Sequence, residues 1–181
     1  MQITHEHREM QRTTLKLIEE VIHPDLDQWE KEQIFPAHTV MKAFANAGLL
    51  GIGKPEKYGG LDLDFSFEMV FAETLGNIRS SGIGTAIGVQ TTMCTPALLT
   101  YGSEELKQDY LVPTIAGDLV GCIGISENHA GSDVSQIRTT ARRDGDDYVI
   151  NGSKMWITNG VQGDWICLLC NTSSEGGPYK N

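Results

Sequence analysis

Two runs of residues, about one hairpin apart, have the composition of a ligand site. They are Gly124–Asp133 (GISENHAGSD) and Lys154–Gly160 (KMWITNG). Each combines apolar residues with hydroxyl groups and glycine, a mixture that a plain core strand would not have. Glycine lets a ligand approach the backbone closely, and hydroxyl groups supply hydrogen bonds. The two runs therefore predict two walls of a binding site.

Other residue types that could do chemistry do not form a second site in the sequence. Cys167 and Cys170 have CxxC spacing, but they lie in an apolar stretch with no second cysteine or histidine pair nearby. We interpret them as structural thiols of a buried strand, without a disulfide bond. We also predict no metal site, because metal-ligand spacing is lacking among His5, His7, His23, His38 and His129.

A glycine-rich run in the first half of the chain has part of the spacing of a dinucleotide-binding fingerprint. In Gly82–Gly88 (GIGTAIG) the last interval is wrong, and no strand precedes it. The run belongs to a helix predicted from Ser81 to about Tyr101, where each glycine costs about 1 kcal/mol relative to alanine. We interpret these small residues as a face that a ligand or another helix approaches closely, with a kink at Pro96.

Composition and charge exclude some classes of function. The 181 residues carry a net charge of −10, with a pI of about 4.8, whereas a protein that follows nucleic acid phosphates needs a basic surface. No stretch approaches the roughly 20 apolar residues of a membrane span. The N-terminus carries acidic residues early and lacks the apolar core of a signal peptide, so we expect an intracellular protein.

The first two-thirds of the chain have helical periodicity. Apolar residues recur at helical spacing through Met10–Ile22, around Val40–Leu49 and through Phe65–Leu75, and the last helix is expected to end near Gly117. This pattern predicts an all-α domain over residues 1–118.

From Val120 the period changes to that of strands. Arg138–Arg143 and Tyr148–Ile150 predict a hairpin with its turn at Asp144-Gly145. Asn151-Gly152 predicts a second hairpin turn.

A further strand over Trp165–Leu169 and a turn over residues 173–177 complete the pattern. The predicted fold class is α+β, in which an incomplete antiparallel β-barrel-like domain over residues 119–181 follows the helical domain.

These patterns resemble the acyl-CoA dehydrogenase family. The family has a hydroxyl-Glu-x-x-Ala-Gly-Ser-Asp pattern, followed by Asn-Gly-x-Lys-x-Trp-Ile-Thr-Asn-Gly. The chain carries them within Gly124–Asp133 and over Asn151–Gly160. In the helical part, Phe44–Gly51 (FANAGLLG) and Lys57–Gly60 (KYGG) also fit, so the resemblance covers essentially the whole chain.

The resemblance implies an FAD cofactor and an acyl-CoA substrate. Ile123, Ile125 and Ser126 would bind the polar pyrimidine edge of the flavin through backbone groups and one hydroxyl. Ser132 would contact the CoA part of the substrate, with Gly131 allowing close approach; the alternative for Ser132 is an ordinary turn residue.

The second run would form the other wall of the flavin site. Trp156 would stack on the ring, unless it is a core aromatic of a barrel strand. Ile157 beside it would also bind the cofactor, and Thr158 would donate a hydrogen bond to N5, where a donor stabilises the charge that arrives with hydride.

The chain departs from the family pattern at three places in or near the first run. Asn128-His129 stand where members often have Pro-Gly, so a role for His129 beside the cofactor is a hypothesis. Ile123 lacks the aromatic ring that some members carry, so only its backbone role transfers. Glu127 is interpreted as structural, and Asp133 as a cap on its own turn. Gln136 also replaces a usually small residue.

The resemblance implies α,β-dehydrogenation of an acyl-CoA thioester. A carboxylate base removes the α-proton, the β-carbon transfers hydride to flavin N5, and an electron-transfer flavoprotein reoxidises the flavin. In the family that base lies in a C-terminal helical domain, so we expect the 181 residues to contain no catalytic residue and to be inactive alone. The resemblance also implies a homodimer or homotetramer in the bacterial cytoplasm or mitochondrial matrix.

Three other functions stay open at the level of sequence. An acyl-CoA oxidase would pass electrons to oxygen, and a non-catalytic subunit of a split dehydrogenase would complete a site with a partner. A plain α+β binding module would use the two runs for structure alone. The residues do not predict the acyl chain length, and a fragment, a split gene or a truncation would each explain an end at Asn181.

Overall fold

In the computed structural model, which describes residues 2–173, helices α1 to α8 account for most of the chain up to residue 115. They are α1 (His5–Leu17), α2 (Leu26–Glu32), α3 (Ala37–Asn46), α4 (Phe65–Leu75), α5 (Ser81–Gly88), α6 (Thr95–Tyr101), α7 (Glu104–Leu106) and α8 (Val112–Ile115). Within this part of the chain, π-helical turns continue α1, α5 and α7 over Ile18–Ile22, Val89–Cys94 and Lys107–Leu111.

One apolar core holds the helical layer together. α1 packs along α4, where His7 stacks on Phe67 with ring centroids 3.8 Å apart. Phe44 of α3 meets Phe71 of α4 edge-on. Ile87 brings α5 into the same core. Burial of each such side chain contributes about 2 kcal/mol, so the position of α5 is fixed by packing.

The kink predicted at Pro96 takes the form of the π-helical turn Val89–Cys94. Proline has no N–H, and its ring would clash with the carbonyl four residues earlier in an α-helix. The wider turn relieves this clash. The hydroxyl of Thr95 satisfies carbonyl groups freed there, since it donates to Gln90 at 2.9 Å and to Thr91 at 3.0 Å.

The strands form two separate pairs. β1 (Gly121–Gly124) pairs parallel with β4 (Trp165–Leu168), and β2 (Thr140–Asp144) pairs antiparallel with β3 (Asp147–Asn151). The sheet is not closed, which confirms the predicted α+β class with an incomplete barrel-like part. The β1–β4 pairing is parallel, whereas the sequence pattern predicted antiparallel strands throughout.

The second predicted hairpin turn, at Asn151-Gly152, was wrong. Gly152 has φ +154°, and a Cβ atom there would lie 2.6 Å from the Thr139 Cα. The glycine is therefore needed for close approach of two backbones rather than for a turn. Residues 152–164 form no strand, and the chain then enters β4 beside β1 instead of returning along β3.

The connection from α8 to β1 contains Asp118, near which the domain boundary was predicted. Most of the turn predicted over 173–177 lies outside the described residues. Among residues 2–173, none of the helices combines the length and apolar character that crossing a membrane requires.

Candidate functional site

The two sequence runs meet at the end of β1. Lys154 Nζ donates to the Ile125 carbonyl oxygen and to Glu127 Oε1, each at 2.8 Å. The Met155 N–H donates to the Ser126 carbonyl at 2.9 Å. The two predicted walls are therefore in direct contact, although Lys154 and Ile125 are 29 residues apart.

Glu127 is a buried carboxylate whose charge is fully compensated. Besides Lys154, it accepts from the Arg138 N–H at 2.7 Å, the Thr139 N–H at 3.0 Å and the Thr139 hydroxyl at 2.6 Å. Burial alone would raise the pKa of Glu127, but these donors, Lys154 first, lower it to about 2. All four groups stabilise the charged form, so Glu127 is structural and a poor proton acceptor.

β1 has an open backbone edge at Ile123. The carbonyl oxygens of Val120 and Gly124 accept from N–H groups at the β4 side, so the backbone groups of Ile123 point the other way. β4 is the one described neighbour of β1, and Ile123 therefore faces the open side of this pair. The carbonyl oxygens of Ile125 and Ser126 each already accept one hydrogen bond. The N–H groups of these two residues and the Ser126 hydroxyl are the groups that could bind a ligand.

Trp156 lies in an exposed and strained position. Its side chain is 86% exposed and its φ is +60°, a conformation that costs a bulky residue about 1–2 kcal/mol. It belongs to no strand, so the alternative of a core aromatic in a barrel strand was wrong. Strain and exposure together are typical of a functional position.

A cavity of about 660 Å³ separates the second run from the helical layer. Ile157 and Thr158 line one side, and α5 lines the other through residues that include Thr85 and Ala86. The volume falls in the range of small-molecule sites, about 300–1,000 Å³. Further along the helix, Gly88 has open space where a Cβ atom would lie. Of the small residues of α5, Gly88 thus faces open space, whereas Gly84 lies against Leu75 of α4 and Ala86 is buried in the core.

The turn after the first run is exposed. Asp133 Oδ1 accepts from the Ser135 N–H at 3.1 Å and from the Ser135 hydroxyl at 2.5 Å, and this hydroxyl bond lowers the pKa of Asp133. Asp133 caps its own turn, as expected. Ser132 is exposed, and the space beside Gly131 is open to a ligand. His129 Nε2 lies 3.4 Å from the Glu127 carboxylate, and its Nδ1 atom is hydrogen-bonded to the side chain of Asn128.

Sequence reasoning missed two side chains, one in the second run and one just after it, that dock this part of the chain on the helical layer. Asn159 Nδ2 donates to the Ala86 and Gly121 carbonyl oxygens, each at 3.1 Å. Gln162 Oε1 accepts from the Ala37 N–H at 3.1 Å and so caps α3, to which Pro36 offers no side-chain cap. No local sequence pattern predicts caps and ties from residues so distant in the chain.

The fold and the site define an α+β protein with a cavity between the helical layer and the irregular segment that precedes β4. Two family models match it: "Acyl-CoA dehydrogenase, N-terminal domain" over residues 4–118, and "Acyl-CoA dehydrogenase, middle domain" over residues 122–181. The chain belongs to the acyl-CoA dehydrogenase family.

Individual relatives agree with this assignment. Isovaleryl-CoA dehydrogenase of Bos taurus is 30% identical over 97% of the chain and 41% of its own length. The crystal structure of an acyl-CoA dehydrogenase from Geobacillus kaustophilus superposes with a TM-score of 0.88, at 36% identity, over 96% of this chain and 45% of that one.

A glutaryl-CoA dehydrogenase from Mycobacterium smegmatis, solved in complex with FADH2, gives a TM-score of 0.87 at 31% identity, over 94% of this chain and 43% of that one. The chain thus spans less than half the length of these relatives.

Proposed function

We propose that the chain forms the flavin-facing wall of an FAD-dependent acyl-CoA dehydrogenase. The observation that carries the proposal is that the neighbours of Trp156 and Thr158 are tied to β1 and its end: the Met155 N–H donates to the Ser126 carbonyl, and Asn159 Nδ2 donates to the Gly121 carbonyl. A flat ligand with one polar edge and one apolar face matches the exposed Trp156 ring, the Thr158 hydroxyl and the open backbone edge of β1. The relative solved with FADH2 supports the choice of flavin.

The residues present fit this cofactor, and FAD would supply a hydride acceptor at its N5 atom. The Ile125 and Ser126 N–H groups, with the Ser126 hydroxyl, would bind the pyrimidine edge. Trp156 would cover the ring and exclude water from it. The Thr158 hydroxyl would donate a hydrogen bond toward N5 and stabilise negative charge there.

The substrate proposal follows from the space around α5. An acyl chain would lie along the small residues that include Thr85 and Gly88, where the helix faces open space. Ser132 would contact the CoA part, since its turn is exposed. The reaction would be α,β-dehydrogenation of an acyl-CoA thioester, with an electron-transfer flavoprotein as the acceptor. A homo-oligomer in the bacterial cytoplasm or mitochondrial matrix belongs to the same proposal.

Glu127 favours a second candidate function. This carboxylate lies in the first run, yet its oxygens accept four hydrogen bonds and its pKa is about 2. A base with these properties would not remove an α-proton at neutral pH. We therefore infer that Glu127 is not the base and that residues 1–181 do not dehydrogenate alone; a non-catalytic subunit that completes its site with a partner is the second candidate function.

The test is to add FAD to the purified chain and remove free ligand by gel filtration. Retained absorbance near about 450 nm, in a ratio of one flavin per chain, supports the flavin site. The loaded chain is then mixed with an acyl-CoA and an electron acceptor. Absence of enoyl-CoA supports the inference that residues 1–181 do not dehydrogenate alone, and substantial turnover overturns it. A colourless eluate overturns the flavin site itself.

A further inference from the structure

The segment that carries Trp156 and Thr158 has few ties to the rest of the molecule. Residues 156–163 form no strand and no helix. Their backbone hydrogen bonds stay within the segment: Gly160 N–H to Ile157, and Gln162 N–H to Asn159. Among the described residues, hydrogen bonds from this segment to other parts of the chain pass through the Asn159 and Gln162 side chains. The position of Thr158 therefore depends on its neighbour.

Asn159 makes both of its outward bonds with one amide group. Nδ2 donates to the Ala86 carbonyl in α5 and to the Gly121 carbonyl in β1, each at 3.1 Å. Ala86 lies where α5 passes into its π-helical turn, and Gly121 lies two residues before Ile123. One side chain thus joins the cavity wall on α5, the open edge of β1 and the segment that bears Thr158.

The conformation and burial of the Asn159 side-chain amide are energetically unfavourable in two respects. Asn159 has φ +66°, a conformation that asparagine tolerates better than most residues. Its Oδ1 atom is buried without a partner among the described residues, which is unfavourable. The backbone strain and the unsatisfied Oδ1 atom are both unfavourable. The two hydrogen bonds that Nδ2 donates are the interactions that offset them.

We propose that Asn159 is a positioning residue, which fixes the Thr158 hydroxyl relative to the flavin edge by tying the 156–163 segment to α5 and β1. The inference rests on the proposed flavin site. Gln162, which caps α3 at Ala37, is a structural anchor of the same segment.

The test uses two substitutions at Asn159 in the full chain, with two further variants for comparison. Asn159→Gly keeps the left-handed backbone accessible and deletes the amide. Asn159→Asp keeps the size but places a carboxylate against two carbonyl oxygens. Val161→Gly is the matched control, since Val161 is 91% exposed and the change adds a glycine to the same segment without removing a tie. Gln162→Ala removes the structural anchor.

The first measurement is amide hydrogen exchange without ligand. We expect the two hydrogen-bonded amides of the segment, Gly160 and Gln162, to exchange roughly 10-fold faster in both Asn159 variants than in the Val161→Gly control, as the loss of the two Asn159 side-chain hydrogen bonds predicts. Equal exchange in the Asn159→Gly and Val161→Gly proteins overturns the tie. This measurement needs no flavin. It therefore tests the tie between Asn159 and the rest of the molecule even if the wild-type chain fails to bind FAD and the proposed function is wrong.

The second measurement is the midpoint potential of bound FAD. The Asn159 variants should make it more negative than in wild type and weaken FAD binding roughly 10-fold, because the Thr158 donor is no longer held. Gln162→Ala should lower the melting temperature but leave the potential unchanged. An unchanged potential in Asn159→Gly, or the same shift in Gln162→Ala, overturns the positioning role.

Discussion

The ammonium group of Lys154 lies 2.8 Å from Glu127 Oε1, and this buried ion pair joins the two walls of the candidate site. Lys154 also donates to the Ile125 carbonyl, so it holds the backbone that is expected to face the flavin. Lys154→Met keeps an apolar stem and removes the charge. Because it leaves a buried carboxylate without its cation, we expect the free energy of unfolding in urea to fall by about 3–5 kcal/mol.

The control for this substitution is Lys16→Met. Lys16 of α1 is 70% exposed and lies 3.9 Å from Glu20 of the π-helical turn that follows, and exposed pairs of this kind contribute about 0.5 kcal/mol. A Lys154→Met protein no less stable than the control would show that the pair does not hold the two walls together.

The same carboxylate predicts an acid-sensitive stability. The pKa of Glu127 is lowered from 4.5 to about 2 in the folded state, so the unfolded chain binds more protons between these values. The resulting stability is complete above about pH 4.5 and is lost as the pH falls toward 2. Its size is about 3 kcal/mol.

Urea unfolding measured from pH 6 down to about pH 3 checks this dependence. Glu127→Gln cannot titrate, and its unfolding free energy should fall less steeply over that range. If the variant and the wild-type protein have the same slope with pH, Glu127 is not the group responsible.

How far the sequence predicts the fold differs between its two parts. The helical pattern predicted α4 at Phe65–Leu75, because its periodicity depends on neighbours three and four residues away. The hairpin of β2 and β3 was also predicted from a local turn, at which Gly145 adopts φ +64°. The parallel pairing of β1 with β4 was missed, since it joins residues more than 40 positions apart.

The sequence predicted the parts of the candidate site that consist of consecutive residues matching the family pattern. Both runs were recognised, but the ties that hold them, from Lys154, Asn159 and Gln162, depend on carbonyl and N–H groups elsewhere in the fold. The turn predicted at Asn151-Gly152 was wrong for the same reason. The glycine is required by the close approach of the Thr139 backbone and not by a turn.

Gly152 provides a test of that correction. In Gly152→Ala the new methyl group would meet the Thr139 backbone, where Cα lies 2.6 Å away, and Thr139 itself binds Glu127. We expect a loss of unfolding free energy of about 3 kcal/mol. Gly145→Ala has open space at its own positive φ, so it should cost only about 1 kcal/mol. Equal losses in urea unfolding would restore the turn interpretation.

Thr158 provides a test of the chemistry proposed at flavin N5. Thr158→Val keeps the shape and removes the donor, whereas Thr158→Ser keeps the hydroxyl. Loss of one hydrogen bond to the reduced flavin, about 1–2 kcal/mol, should lower the two-electron midpoint potential by roughly 20–40 mV. Spectroelectrochemical titration of the bound flavin measures it. Equal midpoint potentials in the Thr158→Val and Thr158→Ser proteins would show that the Thr158 hydroxyl does not donate to flavin N5.

The central claim, that FAD binds against Trp156 at the end of β1, is tested most directly by a fluorescence titration. The chain has three tryptophans, and Trp156 is 86% exposed. Increasing FAD should quench the emission of the wild-type chain to saturation at one flavin per chain. In Trp156→Phe most of this quenching should disappear. Quenching that never saturates in the wild-type chain, or that is unchanged in Trp156→Phe, would contradict the claim.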